Sequence, residues 1–408
     1  MKPKSNMNEV ENQNPAVFED DPILEAIRDE LDEKIQLLLK DEIDAALGAG
    51  WYQRVIERIG YRNGSVKRTV NTSLGKTKFN LPRARILNDD DSETEWDSKI
   101  LPNYQRRCKS VDDALISCYL SGASTRRIKN ALGPLLKGVP MSRSTISRLV
   151  KKLKKSFDKW ETRSLKGLVY KYIYADAINI KTRAAGKVTK LPVLVVIGVK
   201  DTGEKELLAL AQMGSESTEA WTIVMRGLVD KGLNRPLLVI IDGNAGLRNA
   251  IETIWPGVRV QRCAVHKWRN IFARTPKHAQ EEVLKDYRAI VYAKNGEEGK
   301  LAYNAFVRKW SKTLESVVKS LEEAGEELLT FYQLPEAHWK HLRSTNVIER
   351  ANLEFRRRTK TQGSLPSEES VLLLLFGLYA TGQIRMQRIA STEELKNIEM
   401  EKILTNVK

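Results

Sequence analysis

Tyr170-Lys171-Tyr172-Ile173-Tyr174-Ala175-Asp176-Ala177-Ile178 is the stretch on which the reading of this chain turns. Strand alternation puts Tyr170, Tyr172, Tyr174, Asp176 and Ile178 on one face, so a carboxylate shares a side with aromatic and aliphatic groups. Leaving that charge unpaired costs several kcal/mol. Either a salt bridge or a site that uses the charge would answer the cost. Outward from it, residues 168–181 alternate, 191–199 form a β-branched run and 207–213 a third strand. Residues 218–231 read as a helix, 236–241 as a buried strand and 258–263 as a fifth strand. This order predicts an α/β domain with a mixed sheet, followed by an almost wholly helical remainder.

Three further stretches carry candidate chemistry. Asp242 closes the apolar run Pro236-Leu237-Leu238-Val239-Ile240-Ile241, at the carboxyl end of a strand, where open α/β sheets place ligands; Asp-Gly is also a common turn. Glu349 lies in Ser344-Thr345-Asn346-Val347-Ile348-Glu349-Arg350-Ala351-Asn352. Asn346 with Glu349 three residues on resembles a helix cap, yet Glu349, Asn352 and Arg356 share one face while Ile348, Ala351 and Phe355 lie on another. Cys263-Ala264-Val265-His266-Lys267-Trp268-Arg269-Asn270 has half of a zinc-like spacing, but His278, His338 and His341 are scattered and supply no second pair. Lys267 and Arg269 suit phosphate contact, or a solvated helix start.

The 408 residues, 41% apolar, are enough for about two to three domains. The formal charge of +16 points to a polyanionic partner. It is uneven: residues 1–50 sum to −8, 51–160 to +14 and 161–408 to +10. Residues 1–20 read as a loose arm. Residues 22–47 read as an acidic amphipathic helix with Leu24, Ile27, Leu31, Ile35 and Leu38 on its stripe, serving either a dimer contact or packing on its own chain. A basic β-hairpin follows from Arg62 to Arg85, then an acidic surface linker over 88–97. Helical segments broken at Gly133-Pro134 lead into Ser142-Arg143-Ser144-Thr145-Ile146-Ser147-Arg148-Leu149-Val150 and Lys151-Lys152. This reads as a helix-turn-helix whose Arg143, Ser144, Thr145, Arg148, Lys151 and Lys152 reach DNA while Ile146 and Leu149 face a core; an ordinary helical hairpin fits the same pattern. The longest apolar run, 371–380, is about half a membrane span. Three scattered cysteines make no disulfide framework. A soluble, intracellular protein is expected.

Taken jointly and in order, these motifs resemble the Mutator-type transposase family of bacterial and archaeal insertion sequences, acidic-triad (DDE) recombinases with a ribonuclease-H-like core. The resemblance covers roughly residues 20–385. It is carried by Arg62-Asn63-Gly64 with Pro82-Arg83-Ala84-Arg85, Ala175-Asp176, Ile241-Asp242-Gly243, Cys263-x-x-His266-Lys267-x-Arg269-Asn270, and Thr345-Asn346-x-x-Glu349-Arg350-x-Asn352 with Arg356-Arg357-Arg358. Ser65 stands where the family usually has an aromatic residue.

The resemblance implies a metal-binding catalytic triad of Asp176, Asp242 and Glu349, holding two Mg²⁺ or Mn²⁺ ions about 3.5–4 Å apart. Cys263, His266, Lys267, Arg269, Asn270, Asn346, Arg350, Asn352 and Arg356 become supporting or DNA-contacting residues. It also implies an N-terminal arm and helix (1–50), a DNA-binding region (51–160), a core split between 165–275 and 340–385, a helical insertion (276–339) filling the 107 residues from Asp242 to Glu349, and a tail (386–408). The expected partners are double-stranded DNA, both element ends and target, and a second copy of the chain, with no membrane and no small-molecule cofactor. The expected place is the cytoplasm, at the nucleoid. Two other readings share the core: a DNA-binding regulator without catalysis, and a nuclease that cuts but cannot join.

Overall fold

The structure is a computed structural model that describes residues 22–56, 58–72, 75–88, 90, 92–120, 143–184, 187–360, 367–384, 386–389 and 392–398. The chain divides into two compact units, Met1–Leu149 and Val150–Lys408.

In the first unit, α1 (Pro22–Leu47) precedes a hairpin of β1 (Gly60–Thr72) and β2 (Gly75–Leu87). The helix packs on its own chain through Ile35, Leu39, Ile43 and Leu47, which meet Val70, Phe79, Leu81, Ala84, Trp96 and Leu101. The buried stripe is thus rotated from the one read in the sequence; Ile27 and Leu38 are about half exposed. Gly64, at φ 71°, occupies the bulge that shifts the β1–β2 register between Arg62 and Ser65, a conformation that favours glycine. The acidic stretch 88–97 is not merely a linker: Glu93–Glu95 forms β3, paired antiparallel to Arg85–Leu87. Opposed charges across that pair explain it, because Glu93 meets Arg85 at 2.9 Å and Glu95 meets Arg83 at 2.7 Å. Next come α2 (Lys109–Leu120) and α3 (Arg143–Glu161), and the chain passes from one unit to the other between Leu149 and Val150 of α3. The first helix and turn of the expected helix-turn-helix, 125–142, lie outside the described residues.

In the second unit, a five-stranded mixed sheet has the order β6-β5-β4-β7-β8. Strands β4 (Tyr170–Ala184), β5 (Lys187–Lys200) and β6 (Lys205–Gln212) form an antiparallel meander; β7 (Leu238–Ile241) and β8 (Arg259–Arg262) add on parallel to β4. The parallel pairs need crossovers, supplied by α4 (Thr218–Asp230) and α5 (Ala245–Ile254). These helices bury Trp221, Val224, Met225, Leu228, Leu247 and Ile251 against the face carrying Ile173, Ala175, Leu194 and Val239.

Tyr170 belongs to that same face, not to the Asp176 face. A register shift between Tyr170 and Tyr172 turns it over, which simple alternation does not foresee. Gly198 makes room for the displaced ring: a Cβ there would lie 2.5 Å from it.

On the other face, the Tyr172 hydroxyl meets His338 Nδ1 at 3.0 Å and Tyr174 donates to the His341 carbonyl at 3.0 Å. Four further helices stand between β8 and this layer: α6 (Ala264–Arg274), α7 (Gln280–Val291), α8 (Gly296–Trp310) and α9 (Glu315–Glu322). Ile290, Phe306, Val317, Leu321 and Leu328 give them a core of their own, seated on Ala264 and Ile271 of α6. Helices α10 (Glu336–Leu342), α11 (Asn346–Lys360), α12 (Glu368–Ala380) and the short α13 (Thr392–Asn397) complete the described residues, with α11 and α12 both packed on β4.

Candidate active site

Asp176 and Asp242 come together through the sheet itself. Ala175 pairs with Ile241 across the parallel β4–β7 ladder, so the next residue on each strand is an aspartate. Neighbouring strands lie about 4.8 Å apart. Asp176 is 6% exposed, and its Oδ1 accepts a hydrogen bond from the Ala177 amide at 2.8 Å. Burial first, and the adjoining Asp242 carboxylate second, push Asp176 up to about 7, against the opposing pull of His266.

Asp242 does form a turn, and the turn serves its position. Its Oδ1 accepts from the Asn244 amide at 2.9 Å, and Asn244 in turn caps α5 by accepting from the Leu247 amide at 2.9 Å. Gly243 between them has φ 111°, and a Cβ there would strike the Arg262 guanidinium at 2.1 Å.

Glu349 comes from α11, and the capping alternative for it does not hold. Thr345, not Asn346, precedes the helix: its carbonyl accepts from the amides of Ile348 and Glu349 at 2.9 and 3.0 Å. Glu349 instead turns to α6, where Oε1 lies 3.2 Å from His266 Nε2 and 2.5 Å from Arg269 Nη1, with Oε2 at 3.2 Å from Nη2. This fork of two charge-assisted bonds holds the carboxylate in a fixed orientation.

The Cys263-x-x-His266 signature is a structural joint. Cys263 is fully buried at the N-cap of α6, and its sulfur accepts from the His266 amide at 3.5 Å, the Thr345 amide at 3.3 Å and the Thr345 hydroxyl at 3.3 Å. One sulfur therefore ties the start of the helix bearing His266 and Arg269 to the start of the helix bearing Glu349. Burial alone would raise this thiol; hydrogen bonds from His266 and Thr345 outweigh it and hold the thiol below its ordinary range. The Cys263 contact, opposed by burial and helped by the charges of Asp176 and Glu349, raises His266 to about 9, so His266 is a cation at neutral pH. Thr345 stood in the sequence motif without a role; the preference for Thr just before a helix was the signal available.

The other predicted residues separate. Lys267 is 1% exposed, donates to the Ser320 carbonyl at 2.7 Å and is ion-paired with Glu323, which Arg262 also holds at 2.8 Å. Buried in this way, it fastens α6 to the C-terminal end of α9. Asn352 is buried and its Oδ1 has no hydrogen-bond partner, while Asn270, Asn346, Arg350 and Arg356 are exposed. On α3, Arg148, Lys151 and Lys152 are exposed and Leu149 is buried; the side chains of Arg143, Ser144, Thr145 and Ile146 lie outside the described residues. Among the described residues, no three His, Cys, Asp or Glu side chains are gathered tightly enough to hold a metal ion. No helix among them is long and apolar enough to cross a membrane.

Comparison with known proteins follows the same span. The family model described as transposase, Mutator family, matches residues 2–384. The chain is similar to the transposase for insertion sequence element ISRM5 of Rhizobium meliloti, 34% identical and covering 87% of each chain. It is similar to that of IS1081 of Mycobacterium tuberculosis, 31% identical over 85% of this chain and 82% of the other, and to that of IS905 of Lactococcus lactis, 30% identical over 87% and 88%. The solved Drosophila P element transposase strand transfer complex aligns with 73% of this chain and 86% of its own at 11% identity, with a TM-score of 0.28.

Proposed function

The chain belongs to the Mutator family of transposases, and from that premise we propose that it binds the terminal inverted repeats of its insertion sequence and catalyses metal-dependent DNA cleavage and strand transfer at Asp176, Asp242 and Glu349. The observation that carries this reading is the placement of Asp176 beside Asp242 at the ends of adjacent parallel strands, with Glu349 delivered by α11. A mixed sheet with that arrangement supports a ribonuclease-H-like core.

The residues fit a hard divalent cation. Two carboxylates side by side, one of them buried and driven toward protonation by the other, form an oxygen donor set that Mg²⁺ or Mn²⁺ would relieve. Asp176 and Asp242 would hold such ions, and Glu349 would complete the set on leaving Arg269. When bound, they supply charge neutralisation and Lewis acidity for phosphodiester cleavage.

The chain's own residues do the rest. Asp242 is aimed by its turn and Asp176 by the strand ladder, so neither carboxylate has to be ordered when DNA arrives. His266 and Arg269 place two positive charges beside Glu349, where a DNA phosphate would compete with that carboxylate for them. Cys263 and Thr345 keep the two helices in register. Water would cut at the element terminus first, and the exposed 3′-hydroxyl would then attack a second phosphodiester in the same site.

Residues 51–160 supply the recognition of element ends in this reading, the protein acts as a homodimer, and it works on the nucleoid. The test is Asp176→Asn in a Mg²⁺-dependent assay on end-containing duplex. Cleavage and joining should fall below detection while binding to the ends is unchanged. Full activity in this variant would remove the triad assignment; cleavage without joining by the unaltered protein would make it a nuclease.

A further inference from the structure

Helices α6 and α11, which hold Glu349 and its cationic partners, also wall a cavity of about 570 Å³. It is walled by α6, α7, α10, α11 and, among the described residues that follow α12, Gln383, Ile384, Met386 and Gln387, all within the second unit. Helices α6 and α11 each present two faces. On α6, His266 and Arg269 turn to Glu349, while Val265 and Trp268 line the cavity; on α11, Glu349 faces α6, while Asn346, Arg350 and Glu354 line the cavity. The two sites share two walls, and Arg350 follows Glu349 directly in the chain.

The lining is cationic and aromatic. Arg288, Lys340, Arg343 and Arg350 stand in it with Lys205, against one carboxylate, Glu354, which is already paired with Arg357 at 2.6 Å and Arg358 at 3.7 Å. The charges act on one another: burial and the nearby Arg350 lower Lys205 to about 8, and burial with Lys205 and Lys340 lowers His341 to about 4. Among the aromatic groups, Arg343 stacks on the Tyr292 ring at 4.1 Å, and Trp268 packs on Tyr287 at 5.5 Å. Tyr292 is 62% exposed.

A volume within the roughly 300–1,000 Å³ of small-ligand sites takes one nucleotide and excludes a duplex. Cations suit its phosphate, and a flat ring with a guanidinium suits its base. Resting on the transposase reading, we propose that this cavity binds a single unpaired nucleotide of the DNA strand that runs past Asp176 and Asp242. The aromatic wall accepts any base, because each has a π-face to stack, so the cavity reads strandedness and not sequence.

The full chain is titrated by fluorescence anisotropy with end-containing duplex, either blunt or carrying a short unpaired overhang of either polarity, and separately with a free deoxynucleoside monophosphate and with inorganic phosphate. The unaltered protein should prefer one overhang by about tenfold. Tyr292→Ala and Arg343→Ala should abolish that preference without changing blunt-duplex affinity or the melting temperature, and Tyr292→Phe should retain it. Equal affinity for overhang and blunt ends would overturn the proposal. Tyr292-dependent binding of the free nucleotide without an overhang preference would make this a small-molecule site, and equally strong competition by phosphate would make it a plain anion site. Cleavage by the same preparations, read against Asp176→Asn, separates a failure here from a failure of the triad.

Discussion

The arginines of the hairpin and the cations of the cavity make an instructive pair. In the first unit, Arg62 is bound to Asp44 and donates to the Ala49 carbonyl at 2.8 Å, and Arg68 reaches the carbonyls of Leu101, Pro102 and Gln105 at 2.6–3.0 Å. Arg83 and Arg85 pair with Glu95 and Glu93. In the second unit, the cavity holds five cations against one carboxylate that its own helix already neutralises. The segment with the highest net charge thus has its signature arginines committed to holding the fold, while the less charged remainder keeps a local excess. Net charge says that a polyanion is a suitable partner; pairing says where it is met.

That contrast can be broken in order of effect. Arg62→Ala should destabilise the protein by about 1.5–3 kcal/mol in urea unfolding, since it strands Asp44 of α1 and the Ala49 carbonyl just beyond that helix. Lys340→Ala, at an exposed cavity position, should change stability by less than about 0.5 kcal/mol while lowering the salt slope of binding to overhang-bearing DNA by about 1. The reverse pattern would erase the distinction. Next, Glu93→Gln with Glu95→Gln releases Arg83 and Arg85. DNA affinity should rise and its salt slope steepen by up to about 2, with stability nearly unchanged because both pairs are solvent-exposed. An unchanged slope would show that the hairpin arginines do not face DNA.

A further effect is one of pH. His341, held near 4 against its ordinary 6.5 by burial and the cations Lys205 and Lys340, is neutral when folded and takes up a proton on unfolding. It withdraws stability as pH falls from about 6.5 to 4, with no further loss below. His341→Gln should flatten that part of a urea-stability profile; an unaltered profile would mean that the cavity field does not reach His341.

Much of this was legible in residue order. Five strands, the crossover helix α4 and the helical remainder follow from runs of β-branched residues and from periodicity; Asp176 is marked by a charge on an aromatic strand face and Asp242 by a charge at the end of an apolar run. What the sequence concealed were relations between distant segments. The bulge that inverts Tyr170 has no local mark except Gly198 on the next strand. Lys267 reads as a phosphate contact or a solvated helix start until Glu323, 56 residues on, supplies its partner. The β3 pairing is hidden because Glu93–Glu95 has no β propensity of its own and is drawn in by arginines across the ladder. The stripe of α1 rotates because its C-terminal half answers to Phe79 and Leu81 of the hairpin, not to its own composition.

Connectivity sets a timetable. Asp176 and Asp242 are neighbours as soon as β4 and β7 pair, but Glu349 stands 107 residues beyond Asp242. Closing a disordered loop of that length costs about 4 kcal/mol of chain entropy. The insertion, which has its own hydrophobic centre and is pinned to Arg262 and Lys267 through Glu323, shortens the effective loop once it has folded. Synthesis delivers the carboxylates in the order Asp176, Asp242, Glu349, with the insertion between the last two. A chain still emerging from the ribosome, complete through the helices before α11 but not through α11 itself, carries two of the three proposed ligands; on that reading it could hold element ends and could not cut them until α11 is made.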